Sequence, residues 1–332
     1  MKRLFLFSTI LILVGLPSFA QVIKGTVTDK NTKEPVISAA IFFSGTSVGA
    51  LSDEKGNFHL DISKYPKMPL TVSAIGYYSL TLNEYDKDKP LSIMLTPKTF
   101  ELGEVVVKER SRWLQRSENL TIFRNEFLGT TANSMNCSIL NEKDIRFKTS
   151  ANGDTIKAFS VNPIQIHNKA LGYSITYFLD KFVYCKGSQT FMFEGKILFR
   201  EDTIPSETQR GYIDRKRKAA YLGSRMHFLR SLWIDNLNGA GFSVRNSSSE
   251  SINYKRIVID NGNNRKFLHY PGNFGIGYFN KQSTSFVIFH KDRVFFDATG
   301  YYEADGISWE GEMSRQRIAD MLPYDYYPKD NR

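Results

Sequence analysis

From Val22 onward, apolar and polar residues alternate in short runs, and Gly, Asp and Pro cut those runs at regular intervals. Residues 22–28, 40–43, 57–61, 70–74 and 91–95 each read as a strand, because a side-chain period of two suits a half-buried sheet. Glu34-Pro35-Val36 separates the first two, since Pro cannot donate to a ladder. Asp53-Glu54-Lys55-Gly56 predicts a hairpin turn in which Gly supplies a positive φ. Together these segments predict a small antiparallel β-sandwich.

Further along, the period changes twice. Trp113 to Phe127 is spaced helically, through Trp113-Leu114, Leu120, Ile122-Phe123 and Phe127-Leu128, and Gly129 stands where a helix ends. Strand-like alternation returns after Asp144, at residues 156–161, 172–179 and 189–199. Lys216 to Leu237 then predicts one helix with Tyr221-Leu222, Phe228-Leu229 and Leu232-Trp233 on a single stripe. Residues 252–259, 267–270, 275–278, 285–290 and 294–296, joined by turns such as Asp260-Asn261-Gly262, predict a β-meander. The fold class is therefore mainly β: an N-terminal sandwich at 21–97, a linker at 98–112, and a β-rich α+β domain with about two helices at 113–332.

The first 20 residues change the picture of where the chain works. Lys2 and Arg3 precede an apolar run from Leu4 to Leu16, and Ser18-Phe19-Ala20 puts small residues at cleavage offsets. That run is short for a bilayer crossing, so a cleaved signal peptide is expected, leaving Gln21 first. No Cys stands there to carry a lipid. The formal charge is +10, and nearly all of the excess lies beyond residue 98. Export argues against nucleic acid as the partner. Cys137 and Cys185 are the two cysteines. In an exported protein they form one disulfide or remain two buried thiols, and the sequence leaves both open.

The run Ile23-Lys24-Gly25-Thr26-Val27-Thr28-Asp29, Glu34-Pro35-Val36, Gly45-Thr46, Gly49-Ala50, Gly56-Asn57-Phe58 and Ile75-Gly76-Tyr77 resembles the carboxypeptidase-like regulatory domain, a transthyretin-like β-sandwich. The resemblance implies a domain that binds or braces and does not catalyse. Leu102, Glu104 and Val105-Val106-Val107 are similar to the phrase that joins such a sandwich to the plug of TonB-dependent outer-membrane receptors. No plug or barrel pattern follows, so the likeness implies an outer-membrane setting and such a receptor as a partner, not a transporter. Phe127-Leu128-Gly129, Tyr221-Leu222-Gly223-Ser224 and Ala319-Asp320-Met321-Leu322-Pro323 resemble a region that follows the sandwich in uncharacterised envelope proteins of Gram-negative bacteria. That likeness brings no activity with it. It implies a periplasmic or outer-membrane-associated location.

None of His59, His167, His227, His269 and His290 has Glu or His three or four positions after it, so a zinc peptidase is not expected. Gly45-Thr46-Ser47-Val48-Gly49 matches a nucleophile elbow by letter, yet it falls between two predicted strands with no helix after it. Gly272-Asn273-Phe274-Gly275-Ile276-Gly277 lacks the following helix that a phosphate loop needs. Arg215, Lys216, Arg217 and Lys218, with Arg210, Arg225 and Arg230 around them, read either as a solvated helix face or as a contact for anionic lipid or acidic glycan. Tyr301-Tyr302, Trp309, Tyr324, Tyr326 and Tyr327 fit sheet packing or stacking on sugar rings. No enzyme and no cofactor is expected. The functional expectation is a non-enzymatic envelope binding or assembly module. Its rivals are a glycan-binding accessory of a TonB-dependent uptake system and a hydrolase with an unrecognised site.

Overall fold

The computed structural model describes residues 21–98 and 109–329, apart from 64, 66, 67, 263, 264, 280 and 281. The expected leader and most of the expected linker lie outside the described residues. The chain is mostly β, as its alternation predicted. Strands β1 (Val22–Asp29), β2 (Ala40–Phe43), β3 (Gly49–Leu51), β4 (Asn57–Asp61), β5 (Leu70–Ser73), β6 (Leu80–Leu82) and β7 (Leu91–Leu95) form two sheets, ordered β4-β1-β7 and β3-β2-β5-β6. Side chains at period two on β1 and β4, with Ile41, Phe43, Leu70 and Val72, fill the space between them. One pairing, β1 with β7, is parallel. Strands β3 and β6 carry only three residues each, too few for the alternation to register in sequence.

The second unit is built on one long hairpin. Helix α1 (Glu109–Leu128) precedes strands β8 (Cys137–Ile139), β9 (Ile145–Thr149), β10 (Thr155–Ser160), β11 (Ile164–Asn168), β12 (Tyr173–Cys185) and β13 (Thr190–Glu201). Strand β12 pairs β13 along its whole length, while β11 and β10 share its other edge end to end. Phe123 of α1 packs on Phe182 and Phe147, and Phe127 packs on Tyr177 and Phe193. Gly129 closes the helix at φ +96°, its N–H donating to Asn125 O at 3.1 Å, the C-terminal stop expected of it.

The helix expected from Lys216 to Leu237 is two helices. Helix α2 (Glu207–Tyr221) starts earlier, capped by Ser206, and α3 (Arg225–Trp233) is capped by Ser224. Between them Gly223 adopts φ +77°, and the Ser224 hydroxyl accepts from His227 N–H at 3.0 Å, so the shared apolar stripe turns a corner there. Strands β14 (Phe242–Arg245), β15 (Val258–Asp260), β16 (Lys266–Leu268), β17 (Phe274–Tyr278), β18 (Ser285–Phe289), β19 (Val294–Phe296) and β20 (Ile307–Gly311) form sheets ordered β14-β17-β18-β20 and β15-β16-β19 over α3. A fourth short helix, α4 (Tyr254–Ile257), interrupts what read as a single strand at 252–259.

The sandwich is not a separate bead. All four residues of β2 are buried: Ile41 and Phe43 face their own core, while Ala40 and Phe42 pack with Phe178 and Leu198 of the long hairpin. The Phe42 and Phe178 rings stack at 5.2 Å. Backbone bonds seal the seam: Gly45 N–H donates to Ile197 O at 2.7 Å and Phe199 N–H to Thr46 O at 3.0 Å. Phe42→Ala should therefore destabilise the whole chain by about 3 kcal/mol, within the range for buried aromatics. In an isolated fragment of residues 21–98, where that ring faces water, the same change should leave the thermal midpoint nearly unchanged. Equal losses in both would mean that Phe42 belongs to the sandwich core alone.

Candidate functional site

A cleft of about 540 Å³ opens between α2 and the chain's C-terminal segment. Both features that the sequence offered separately meet there, the basic run and part of the tyrosine-rich end. Asp214, Gly211, Lys218 and Arg215 line it. At about 100° per residue they occupy the sector of α2 beside the buried stripe of Ile213, Arg217 and Tyr221. Tyr326, Tyr327 and Lys329 form the facing wall.

The basic residues divide by what they touch. Arg217 is not a surface cation: it is only 5% exposed. Its Nε donates to Leu171 O at 2.7 Å, Nη2 to Gly172 O at 3.1 Å and Nη1 to Glu201 Oε1 at 2.6 Å, over the Tyr173 ring. Arg230 is 7% exposed, and its guanidinium donates to the carbonyls of Thr299, Tyr324 and Tyr326 at 2.8–3.0 Å. Arg225 reaches Gln316. These three are braces, so the expectation of an anion contact is corrected for Arg217. A planar, always-charged fork saturates backbone carbonyls with few rotamers to freeze, which is why arginine serves there. Lys216 lies over Tyr212 at 5.6 Å and does not line the cleft.

Arg210, Arg215 and Lys218 are different. Among the described residues they have no side-chain hydrogen bond, ion pair or ring contact. The cleft's carboxylates all have partners: Glu201 and Asp214 pair within the lining with Arg217 and with Lys329 at 2.8 Å, and Asp325 accepts from the Ser47 hydroxyl and N–H. The cleft therefore presents unpaired positive charge beside the Tyr327 ring, which is 59% exposed and lies 4.0 Å from the Arg230 guanidinium.

The cleft wall is tied to the sandwich. Tyr324 N–H donates to Gly45 O at 2.7 Å. Gly45 has φ +84°, and a Cβ there would stand 2.4 Å from the Tyr324 ring, so this turn tolerates no side chain. Ser47 sits on the same β2–β3 turn, not on a strand-to-helix elbow, and its contact is Asp325. The letter match to a nucleophile motif thus marks the joint between the units. The glycines at 272–277 run into β17 of a hairpin, as expected.

The remaining candidates disperse. Tyr302 accepts from Trp309 Nε1 at 3.0 Å within the third core, while Tyr301 and Tyr324 pack edge to face. Of the tyrosine-rich end, only Tyr326 and Tyr327 line the cleft. His167 pairs with Asp202, His269 with Asp292, and His290 bonds Ser308. No group of three or more His, Cys, Asp or Glu able to hold a metal occurs among the described residues. Of the two alternatives left open for Cys137 and Cys185, the structure has free thiols. Cys137 pairs across β11 toward the Tyr173 end of β12 and Cys185 ends that strand, about 40 Å apart at 3.3 Å per residue. A disulfide needs Cα atoms within about 7 Å. Burial pushes the Cys137 thiol up to about 12, so it stays protonated.

Sandwich, long hairpin and cleft together describe a β-sandwich joined to a β-rich unit through an apolar, backbone-bonded seam, with a cationic cleft in the β-rich unit. Residues 23–107 match the family model described as a CarboxypepD_reg-like domain, so the N-terminal sandwich carries that domain. No curated protein matches the chain. No helix among the described residues is long and apolar enough to cross a membrane.

Two measurements follow from this division. Arg217→Ser should cost about 3 kcal/mol, because two buried carbonyls lose a charged donor, whereas Lys216→Ser should stay within about 0.5 kcal/mol; chemical denaturation reads both. His227 tests the corner between α2 and α3. Its Nδ1 accepts from Gly223 N–H at 3.1 Å, and burial first, then Arg230, lowers its pKa from 6.5 to about 4. The unfolded chain takes up this proton near 6.5 and the folded chain only near 4, so stability falls as pH drops through that window. The thermal midpoint of His227→Gln, whose amide oxygen can still accept, should drop less than wild type between pH 7 and pH 5.

Proposed function

We propose that this chain is a non-enzymatic binding module of the cell envelope and that the α2 cleft is where it meets an anionic envelope component. The observation that carries this reading is the set Arg210, Arg215 and Lys218, unpaired beside carboxylates that already have partners. Cations that line one cleft without carboxylate partners leave a positive field there for an external anion. The leader at residues 1–20 supports export, and the CarboxypepD_reg-like domain supports a bracing role beside the outer membrane, where a TonB-dependent receptor is the proposed protein partner.

The test uses the mature chain beginning at Gln21. It should bind vesicles containing anionic lipid or lipopolysaccharide and ignore neutral ones. Binding should weaken steeply with salt, since exposed charges are screened within about 10 Å at about 0.1 M. The double change Arg215→Ser with Lys218→Ser should remove most of the binding while leaving the unfolding midpoint in place. Wild-type binding by that variant would sink the proposal. Arg217 is left intact in this design, because its loss would disturb the fold.

A further inference from the structure

Gly211 is the fifth residue of α2, where glycine costs roughly 0.5–1 kcal/mol relative to alanine. Nothing in the fold asks for it. Its backbone is helical rather than left-handed, and a Cβ added there would meet only the tip of Arg215, at 3.7 Å. It does, however, form part of the cleft surface. A helix-weakening residue without a packing reason, in the floor of a cleft, keeps bare backbone within reach of something that comes close.

Three features converge on the class of that occupant. Arg210 and Arg215 offer planar forks and Lys218 an ammonium, a set that suits the several oxygens and near-divalent charge of a phosphate monoester better than a single carboxylate. Tyr327 turns an exposed ring into the same space, as an aromatic platform for a flat apolar face. The volume of about 540 Å³ falls in the range of sites for small organic ligands and is larger than a bare phosphate needs. Resting on the reading of the cleft as an anion site, we infer that its ligand is a phosphorylated saccharide, with the phosphate on Arg210, Arg215 and Lys218 and the sugar over Gly211 beside Tyr327.

Glucose 6-phosphate, glucose, glucuronate and inorganic phosphate are titrated separately into the mature chain by calorimetry, and a parallel arm uses neutral vesicles with and without lipid A. Glucose 6-phosphate should bind at least about tenfold more tightly than the other three small molecules, the loss expected when a charge-assisted contact or the ring's contacts are missing. If lipid A vesicles bind and free sugar phosphate displaces them, the source is lipid-linked; binding of the free compound alone points to a soluble source. Gly211→Leu, a good helix former, should leave or raise the thermal midpoint and weaken sugar phosphate binding about tenfold or more, and Tyr327→Ala should weaken it with little effect on inorganic phosphate. Inorganic phosphate or glucuronate binding as tightly as the sugar phosphate, or unchanged binding by Gly211→Leu, overturns the inference. Should anionic vesicles still bind through Arg215 and Lys218 in that event, the broader reading survives and this one falls. If neither binds, both fall.

Discussion

Arg230 occupies the point where the three packed units meet, and among the described residues no carboxylate hydrogen-bonds its guanidinium. It donates instead to the carbonyls of Thr299, Tyr324 and Tyr326, from two chain segments that no sheet ladder joins. Removing a guanidinium from water is costly unless its donors are used, and here all three nitrogens find oxygens within 3.0 Å. Tyr221 and Tyr327 cover its faces at 5.5 and 4.0 Å. Nearby, burial raises the pKa of Asp297 against the opposing pull of its bonds from Thr299 and Tyr301 and of Arg230 itself. Arg225, also on α3, holds the C-terminal segment further back, through Gln316. With the clamp in place that segment becomes the wall of the cleft.

That wall carries the positional information further. Tyr324 is fixed by Arg230 through its carbonyl and by Gly45 through its N–H, so one residue joins the helix, the tail and the sandwich turn. The turn in turn holds Ile197 and Phe199 of β13. The sandwich therefore braces the cleft directly, through the joint at Gly45 to Ser47 and the Phe42 stack. Its influence on the cleft needs no long pathway, because Asp325, bonded to Ser47, is itself part of the lining.

Legibility in the sequence followed the range of the interactions. Three sandwich strands, β2, β4 and β7, begin and end where the alternation said, since strand bounds there are set by local Gly, Pro and Asp. The corner at Leu222-Gly223-Ser224 was present in the letters as a capping pair, yet the apolar stripe continued across it and masked the break. The fates of Arg217 and Arg230 were not legible at all. Their partners are backbone carbonyls 45 to 96 positions away, and a carbonyl leaves no mark on residue identity. The sequence could not choose between a bonded and an unbonded pair of cysteines, because only sheet register places them at opposite ends of β12.

Within residues 215–218 helical phase sorts the basic side chains, whereas Arg210, about 20° from Arg217 in phase, stays exposed near the start of α2. Position 217 shares the inward stripe with Ile213 and Tyr221, so its charge must be satisfied by fixed oxygens and is lost to any ligand. Positions 211, 215 and 218 lie on the neighbouring sector, where the cleft begins and water still reaches them. A fold that wanted only solubility would spread such charges outward, toward Tyr212 and Lys216. Here Arg215 and Lys218 border a concave surface whose acids already have partners. Under the proposed function, an anion entering the cleft would meet donors that break no ion pair to receive it, so less of its binding energy would go into rearranging the protein.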